Sequence, residues 1–305
     1  MATKSMHGSL LLEELIASSG GKYNPIRTFS SKQILQATNN FDWSYAITED
    51  IFLWYKGTIE NRAVLIKYFK YKTSEDPHNS YLDIAVSSMM SSHNNVLKLL
   101  GCCLEFPRPV LVCEYPKMGA LTSLRGAGAR IKPLPWNVRL KIAKELADAD
   151  ENWTAKLSSF GLSISIPEGE SEVKDIICGT SSTIEPRYLV TGLITQNVDV
   201  YSLGIIMLSL LTGKRSLHEE PANGDSYKRI MLPDYVGEIL ERGPFTELID
   251  PSMLNSTTDN IPDHLRLQME AFLELALKCI SFRPGENVPH MIEVAKELKK
   301  LENHT

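Results

Sequence analysis

The pattern of hydrophobic and polar positions divides the chain into a strand-rich first third and a helical remainder. In ITEDIFLWYKGTIENRAVLIKYF, apolar runs are broken by turn residues such as Glu60 and Asn61, which predicts a β-meander. The stretches VLKLLGCCLE and PVLVCEY predict two more strands, and residues 80–92 predict a helix. The first third is therefore predicted to form a small sheet with one helix.

Two short amphipathic helices are predicted ahead of this sheet, in GSLLLEELIASSGG and FSSKQILQATNNFD. In the first, Ser9 is a candidate cap and Gly20 and Gly21 form a stop. Its leucines either cover the sheet of this same chain or dock a partner, and the pattern alone does not decide between these.

After Leu134 the apolar positions recur at helical spacing. The segments that carry long stripes of this kind are LPWNVRLKIAKELADA, NVDVYSLGIIMLSLLTG, YVGEILERG, HLRLQMEAFLELALKCI and HMIEVAKELKKLE. The order of elements is thus a β-rich part followed by an α-rich part.

Composition narrows the classes of function. The 305 residues carry a formal charge of −5, so neither nucleic acid nor an anionic membrane is an expected partner. The five cysteines lie in apolar runs without a CxxC pair, which is typical of a reducing compartment. The longest apolar stretch, Tyr201 to Leu211, is too short to span a bilayer. The expectation is a cytoplasmic protein without a membrane span.

Several segments resemble a protein kinase, and more narrowly the plant receptor-like cytoplasmic kinases. YKGTIENRAVLIKYF resembles strands 2 and 3 of that family, HNNVLKLLGCCLE the region from the family's αC helix to strand 5, and DVYSLGIIMLSLLTGKR its αF helix. The resemblance implies an α+β, bilobal, protein-kinase-like fold. It divides the chain into an N-terminal extension with a short helix (1–28), a small lobe (29–115) and a large lobe (116–305).

The groups that phosphoryl transfer needs are mostly missing at the matching positions. The glycine-rich loop has no glycine before Gly57, and Ser159 stands where the family has its metal-binding aspartate. Lys67 in VLIK matches the nucleotide-binding lysine. The glutamate that pairs with this lysine is replaced by Ile84, and Asp83, one residue away, points about 100° around the helix. Lys67 is therefore expected to lack its ion-pair partner.

The stretch LADADENWTAKLSSFGLS joins two parts of the family pattern and omits what lies between them. The end of the family's αE helix and the whole HRDxxxxN catalytic loop are absent between Ala149 and Asp150. With them go the catalytic base and the ligand of the second metal. Asp148 and Asp150 are expected to be solvated surface residues. The loss predicts no catalytic residue, no metal site and no cofactor, with weak residual ATP binding through Lys67 as the alternative.

Three expectations concern the large lobe. Arg187 stands where the family has the glutamate of its APE motif, and Val288 where it has the arginine partner, so Arg187 should find solvent or another acid. Asp199 keeps the position that braces the catalytic loop and is expected to bind other N–H donors. The shortened αE helix should leave the apolar surface around Ile205 to Leu211 poorly covered.

Within the family, the closest resemblance is to the ZRK group of plant pseudokinases, through LGCCLEFPRPVLV and NWTAKLSSFGLSISIPEG. That resemblance implies an adaptor in plant innate immunity, which binds a coiled-coil nucleotide-binding leucine-rich-repeat receptor and effector-modified receptor-like cytoplasmic kinases, and which reaches the plasma membrane through these partners. The alternatives are an atypical serine/threonine protein kinase and a decayed, non-functional pseudokinase.

Two candidate partner-binding segments follow from that resemblance. The activation-segment position, Gly161 to Arg187, begins with the alternating residues Leu162, Ile164 and Ile166, a pattern that can add a strand or fill a groove of a partner kinase. The stretch from Phe29 to Ile47, including Ile34, is assigned to the receptor.

Overall fold

The computed structural model describes residues 8, 11, 26–49, 52–69, 79–116, 134–147, 155–221, 227–253, 261–282 and 287–303. The elements in chain order are β1 (Arg27–Thr28), α1 (Ser31–Ala37), β2 (Ala46–Glu49), β3 (Phe52–Ile59), β4 (Arg62–Phe69), α2 (Ser80–Met89), β5 (Leu99–Cys103), β6 (Val110–Glu114), α3 (Trp136–Ala147), β7 (Glu172–Lys174), α4 (Pro186–Thr191), β8 (Leu193–Thr195), α5 (Asn197–Thr212), β9 (Leu217–Pro221), β10 (Tyr227–Met231), α6 (Leu232–Arg242), α7 (Asp263–Cys279) and α8 (Met291–Asn303). Short 3₁₀ helices lie at Trp43–Tyr45, Phe245–Leu248 and Pro251–Met253.

The chain divides into two compact units. The first comprises Met1–Leu121 and Thr154–Ser165, and the second comprises Thr122–Trp153 and Ile166–Thr305. Residues 154–165 thus group with the strand-rich unit. The predicted division into residues 1–28, 29–115 and 116–305 stays a prediction.

The first unit is built on one six-stranded sheet in the order β1-β5-β6-β4-β3-β2. Strands β2, β3 and β4 pair antiparallel in sequence, as the predicted meander requires. The two strands predicted at residues 96–115 are β5 and β6. The pattern did not predict β1, which pairs parallel with β5 through Arg27 and Thr28.

The hairpin between β3 and β4 sets the register of the sheet. Glu60 and Asn61 both take left-handed backbone angles, with φ of 51° and 61°, as a two-residue type I′ turn demands. This turn places Trp54 opposite Lys67 and Phe52 opposite Phe69. Because side chains alternate between the two faces of a strand, these four residues share one face of the sheet.

Helix α1 covers the opposite face of the sheet. Ser30 caps its first turn reciprocally with Gln33: the Ser30 Oγ accepts from the Gln33 N–H at 3.3 Å, and the Gln33 Oε1 accepts from the Ser30 N–H at 2.9 Å. At Gly57 the helix and sheet approach so closely that a Cβ would lie 2.9 Å from Ile66 Cδ1 and 3.0 Å from the Ala37 carbonyl oxygen. The absence of a Cβ at Gly57 therefore allows α1 to pack closely on the sheet.

Gly8 and Leu11 have helical backbone, and Leu11 is buried in the core that α2 forms with the sheet. For Leu11, this supports the interpretation that the N-terminal leucines cover the protein's own sheet. The other leucines of that predicted helix lie outside the described residues.

In the second unit, the five long helical stripes of the sequence correspond to α3, α5, α6, α7 and α8. Two small antiparallel ribbons, β7 with β8 and β9 with β10, were not predicted. Neither was the short helix α4, which begins at Pro186 and ends before Gly192.

Helix α5 is the centre of the second unit, and most of its apolar side chains are buried. Ile205, Met207, Leu208, Leu210 and Leu211 are each at most 1% exposed. The expectation that residues 205–211 are poorly covered is therefore wrong.

The covering comes mainly from α7 and α3. At Gly204 of α5 a Cβ would lie 2.7 Å from Ile280 Cγ2 and 2.9 Å from Cys279 Cβ, so the two chain segments meet almost backbone to backbone. Such burial stabilises the unit by about 1.5–3 kcal/mol for each large apolar side chain.

Arg139 secures the start of α3 to the end of α5. Its guanidinium donates to the Leu134 carbonyl at 2.7 Å and to the Leu210 carbonyl at 2.8 Å, and it pairs with the Asp250 carboxylate at 2.6 Å. Because a buried guanidinium needs partners on all its donors, this set explains how the charge is tolerated.

In the part of the chain that the structure describes, no helix is both long and apolar enough to cross a bilayer.

Candidate functional site

Lys67 lies in the middle of β4, which is paired with β3 on one side and β6 on the other. Its side chain is completely buried, at 0% exposure. An unpaired ammonium in such a place would be strongly destabilising, so the groups around it decide what it does.

The partner of Lys67 is Asp83. The Lys67 Nζ lies 2.6 Å from Asp83 Oδ2, and both side chains are fully buried. The expectation that Lys67 lacks an ion-pair partner is therefore wrong. The matched position, Ile84, is also fully buried but belongs to the apolar core of the unit.

Helix α2 brings Asp83 to Lys67 because it is buried on more than one face. Ser80, Asp83 and Ser87 form one polar stripe at spacings of three and four, whereas Ile84 and Ala85 face the apolar core. The recurrence of small polar residues at these spacings is the signal from which this partner could have been inferred.

The second oxygen of Asp83 holds the segment that follows residue 155. Asp83 Oδ1 accepts from the Phe160 N–H at 2.8 Å, and the Lys67 Nζ donates to the Ser159 Oγ at 2.9 Å. Ser159 has a left-handed φ of 72°, an uncommon angle for a residue with a Cβ. One ion pair thus joins β4, α2 and the turn at residues 159–160.

The same segment is fixed by its backbone on both sides of that turn. The Leu157 N–H donates to the Asn95 carbonyl at 2.7 Å, and the Leu157 carbonyl accepts from the Leu97 N–H at 2.8 Å. Further on, the Gly161 carbonyl accepts from the Asn79 N–H at 3.0 Å. These contacts explain why residues 154–165 belong to the strand-rich unit.

Aromatic rings enclose the ammonium. The Lys67 Nζ lies 3.9 Å from the centroid of the Phe52 ring, 5.3 Å from that of Phe69 and 5.6 Å from that of Trp54. These distances are in the range of cation–π contacts. This role of Phe52 and Trp54 was not predicted, although a two-residue turn at Glu60 and Asn61 fixes the register that places them there.

Burial sets the proton affinities in this region. It lowers the pKa of Lys67, an effect that the charge and hydrogen bond of Asp83 oppose. The neighbouring Cys113 thiol has its pKa raised to about 12, chiefly by burial. The thiol is therefore un-ionised and unreactive at neutral pH.

The residue at position 159 does not suit the metal ion of a nucleotide. Ser159 offers a neutral hydroxyl, bonded to Lys67, where Mg²⁺ requires anionic oxygen. The Phe52 ring lies against the ammonium, with its centroid 3.9 Å from the Lys67 Nζ. The junction between Ala149 and Asp150, together with Asp148, lies outside the described residues.

The predicted partner-binding residues separate into exposed and buried sets. Leu162 and Ile164 are 42% and 37% exposed, and Ile166 is half-buried. No strand pairing is formed by residues 162–166 within the described part of the chain. Phe29 and Ile34 are core residues at 5% and 0% exposure, so they cannot form a surface as the sequence analysis assumed. Ile47 is half-buried against the core.

Further along the activation-segment position, Tyr188 holds the backbone before α4. Its hydroxyl donates to the Ile176 carbonyl at 2.8 Å and accepts from the Cys178 N–H at 3.0 Å. Arg187 pairs with Glu172 at 2.8 Å, and both side chains are largely exposed. The expectation that Arg187 finds solvent or another acid is confirmed.

Asp199 lies in the first turn of α5, where burial raises the pKa of its carboxyl. None of the described residues donates a hydrogen bond to this carboxylate, so the expectation of other N–H donors stays a prediction.

The fold and the site together define a protein-kinase domain. A strand-rich unit contains a buried lysine on its sheet and an acid on the helix that follows, while the other unit is helical around α5. The sequence profile of the family described as protein tyrosine and serine/threonine kinase matches residues 52–151.

Relatives in Arabidopsis thaliana identify the group within that class. The chain is 66% identical to serine/threonine-protein kinase ZRK7 over 60% of this chain and 78% of the relative. It is 44% identical to non-functional pseudokinase ZED1, over 97% of this chain and 95% of the relative, and 41% identical to non-functional pseudokinase ZRK2, over 97% and 89%. The chain therefore belongs to the ZRK group of the protein kinase family, and the resemblance read from the sequence is confirmed.

Proposed function

We propose that this protein is a catalytically inactive kinase-fold adaptor of plant innate immunity. It bridges a coiled-coil nucleotide-binding leucine-rich-repeat receptor and effector-modified receptor-like cytoplasmic kinases. It acts in the cytoplasm and reaches the plasma membrane through these partners. The adaptor role rests on the resemblance to the ZRK group, in which ZED1 and ZRK2 carry the name of non-functional pseudokinases.

The observation that carries the proposed inactivity is the state of Lys67. Its ammonium is buried, paired with Asp83, bonded to Ser159 and covered by Phe52. Phosphoryl transfer needs this lysine on the nucleotide, two metal ligands and a base. The sequence lacks the catalytic loop that carries the base and one of those ligands.

The test of inactivity is phosphoryl transfer by the purified full-length protein with Mg²⁺ or Mn²⁺. We expect no autophosphorylation, and we expect Ser159→Asp not to create any, since a single metal ligand without a base completes no site. Autophosphorylation that disappears in Lys67→Ala would contradict the proposal.

An atypical kinase is the second candidate, because one specific observation favours it. The Lys67–Asp83 ion pair keeps the lysine and acid that active kinases pair, although the acid has moved by one residue. Relatives such as ZRK7 are also named as serine/threonine-protein kinases. The phosphoryl-transfer assay above separates this candidate from the adaptor.

Two surfaces are assigned to the two partners. The exposed residues Leu162 and Ile164, with Ile166, are proposed to contact the partner kinase. The stretch from Phe29 to Ile47 is proposed to face the receptor. Its exposed large apolar side chains are Trp43, at 54%, and Tyr45, at 43%, whereas Phe29 and Ile34 support it from the core.

Binding experiments with charge substitutions test this assignment. Replacing Ile164 and Ile166 with aspartate should weaken capture of the partner kinase and leave receptor binding intact, and Trp43→Asp with Tyr45→Asp should do the reverse. Ile292→Asp is the matched control, because Ile292 is a 63% exposed isoleucine of α8 and belongs to neither segment. Equal loss of both partners in each folded variant would refute separate surfaces.

A decayed, non-functional protein makes a different prediction in the same experiments. It would neither co-purify with the receptor nor unfold in one cooperative transition. Co-purification together with a cooperative transition would exclude it.

A further inference from the structure

His218 lies on β9, and the alternation of the strand turns its side chain toward the buried face of the β9–β10 ribbon. It stands opposite Ile230 of β10, which is 8% exposed, whereas its neighbours Leu217 and Glu219 are exposed. The His218 side chain itself is 10% exposed. An ionisable ring is therefore held where a charge is poorly solvated.

Neither ring nitrogen of His218 has a hydrogen-bond partner among the described residues. Both Nδ1 and Nε2 are buried. The Glu220 Oε1 lies 3.5 Å from Nε2, outside hydrogen-bond geometry, and it already accepts from the Lys214 Nζ at 2.7 Å. Buried polar atoms without a partner are rare in folded proteins, so this pair of nitrogens calls for an explanation.

Four side chains form one cluster that joins the ribbon to α6. The His218 ring meets the Tyr235 ring edge to face, with centroids 5.1 Å apart and planes at 88°. The Lys214 Nζ lies 4.4 Å from the centroid of the same Tyr235 ring while its ion pair holds Glu220. Lys214, His218, Glu220 and Tyr235 constitute the His218 cluster.

The surroundings of the ring favour the neutral imidazole. Burial lowers the pKa of His218, and the charge of Lys214 lowers it further. Glu220 and the Arg215 backbone act in the opposite direction. Since Lys214 already occupies the Glu220 carboxylate, a proton on the ring would place two cations on one acid.

The neighbouring elements do not supply His218 with a second acid. Other charged groups nearby are Lys228 of β10, opposite Glu220, Asp234 of α6, which acts on Tyr201, Glu247, which acts on Tyr235, and Glu219, which pairs with Arg229. None of these acids is among the groups that shift the pKa of His218.

We propose that the His218 cluster is an acid-sensitive latch between the β9–β10 ribbon and α6. With a neutral imidazole, His218 packs on Tyr235 beside the closed Lys214–Glu220 pair. When the imidazole takes up a proton, Lys214 and His218 compete for Glu220, and the ribbon separates from α6 so that water reaches both ring nitrogens. This inference goes beyond the proposed function. It rests on the second unit alone, so its test needs no partner protein.

The direction of the effect follows from the linkage between proton binding and opening. Because the pKa of His218 is lower in the closed form, the open form binds the proton first. The latch is therefore closed above the ordinary histidine value of 6.5 and opens as the pH falls below it. The opening equilibrium constant rises by at most about tenfold per pH unit, the limit for one proton.

The test measures amide hydrogen exchange of the full-length protein at about pH 7 and about pH 5.5, expressed as protection factors. The Leu232 N–H donates to the Ser216 carbonyl at 2.9 Å, where the ribbon meets α6. Its protection factor should fall about fivefold or more at the lower pH. The Gly192 N–H, which bonds the Tyr188 carbonyl in the same unit, should keep its protection. An equal fall at Gly192 would mean that acid weakens the whole unit and would overturn the latch.

Three variants assign the effect to the cluster. His218→Phe keeps an aromatic contact with Tyr235 but cannot titrate, so protection at Leu232 should no longer fall with acid. Lys214→Met leaves Glu220 to the protonated ring, so the fall should become smaller. His264→Phe is the matched control, because His264 is an exposed histidine of α7, and it should leave the fall unchanged.

Protection at Leu232 that does not vary with pH in the unchanged protein, or a fall that persists in His218→Phe, would overturn the proposal. So would an unaltered fall in Lys214→Met. If His218→Phe does not fold, an NMR titration of the unchanged protein takes its place. His218 should then titrate below 6.5, and a midpoint at or above this value would contradict the latch.

Discussion

Two ion pairs of this protein involve positions at which the kinase family has paired residues. One of the two pairs is buried, and the other lies on the surface. At Lys67 and Asp83 the acid has shifted by one residue and the pair is still fully buried, with both side chains at 0% exposure. At Arg187 and Glu172 the inherited pair is gone, and a new pair lies on the surface with the side chains 51% and 37% exposed.

The difference shows that burial, more than charge, decides how a lost partner is compensated. A buried charge without a partner destabilises a fold by about 3–5 kcal/mol, so a sequence that keeps the lysine must supply an acid from nearby. An exposed charge is satisfied by water, so its pair contributes about 0–1 kcal/mol and either partner is free to change.

The largest expected effect is at the buried pair. Asp83→Leu leaves the Lys67 ammonium buried without its counter-charge and should lower the free energy of unfolding by about 3–5 kcal/mol. Equilibrium unfolding in urea measures it, with Lys67→Met expected to be of similar size. A loss below about 1 kcal/mol would show that Asp83 does not stabilise the fold by neutralising the buried Lys67 ammonium.

The next effect is the coupling between these two positions. Since an ion pair replaced by well-packed apolar residues is often nearly neutral, Lys67→Met with Asp83→Leu should regain at least about 2 kcal/mol relative to the sum of the single changes. Simple additivity in the double-mutant cycle would contradict this interpretation.

Burial also predicts a pH dependence in the second unit. Burial raises the pKa of the Cys279 thiol to about 12, from an ordinary value of 9.0. An acid with a raised folded pKa binds its proton more tightly in the folded state, so its contribution to stability is complete below pH 9 and is lost as the pH rises toward 12.

Relative to Cys279→Ala, the unchanged protein should therefore lose about 1.4 kcal/mol of unfolding free energy per pH unit above pH 9. The comparison of the two proteins cancels the titration of lysines and tyrosines. A difference that does not vary between pH 8 and pH 10.5 would mean that the thiol is not buried in solution.

The smallest effect is expected at the exposed pair. Arg187→Ala should change the free energy of unfolding by less than about 1 kcal/mol, and salt should reduce even that difference, because both side chains are solvated. A change comparable to that of Asp83→Leu would break the comparison between the two pairs.

Much of the fold followed from periodicity. The hairpin turn at Glu60 and Asn61 and the stripe of α5 are local signals, and both elements formed as predicted. The short ribbons β7–β8 and β9–β10 carry no such signal, because strands of three to five residues offer too few alternations to recognise a period.

The candidate site was predicted less well, for two separate reasons. Asp83 was set aside because the helical angle of about 100° separates it from Ile84, an argument that assumes one buried face. Helix α2 is buried on two faces, so both residues have partners. Outside the site, the expected poor coverage of residues 205–211 was wrong because α7 and α3 cover most of the apolar side chains of α5.

The sequence by itself determined the long helices, the main strands, the family and the loss of the catalytic groups, since these depend on local pattern and on residue identity. Only the tertiary structure decided that Lys67 has a partner, that Phe52 covers it and that Phe29 and Ile34 are core residues. The physical reason is that burial and pairing are set by which elements pack together. Residues 67, 83 and 159 are distant in the sequence and meet only when strand, helix and turn have folded onto one another.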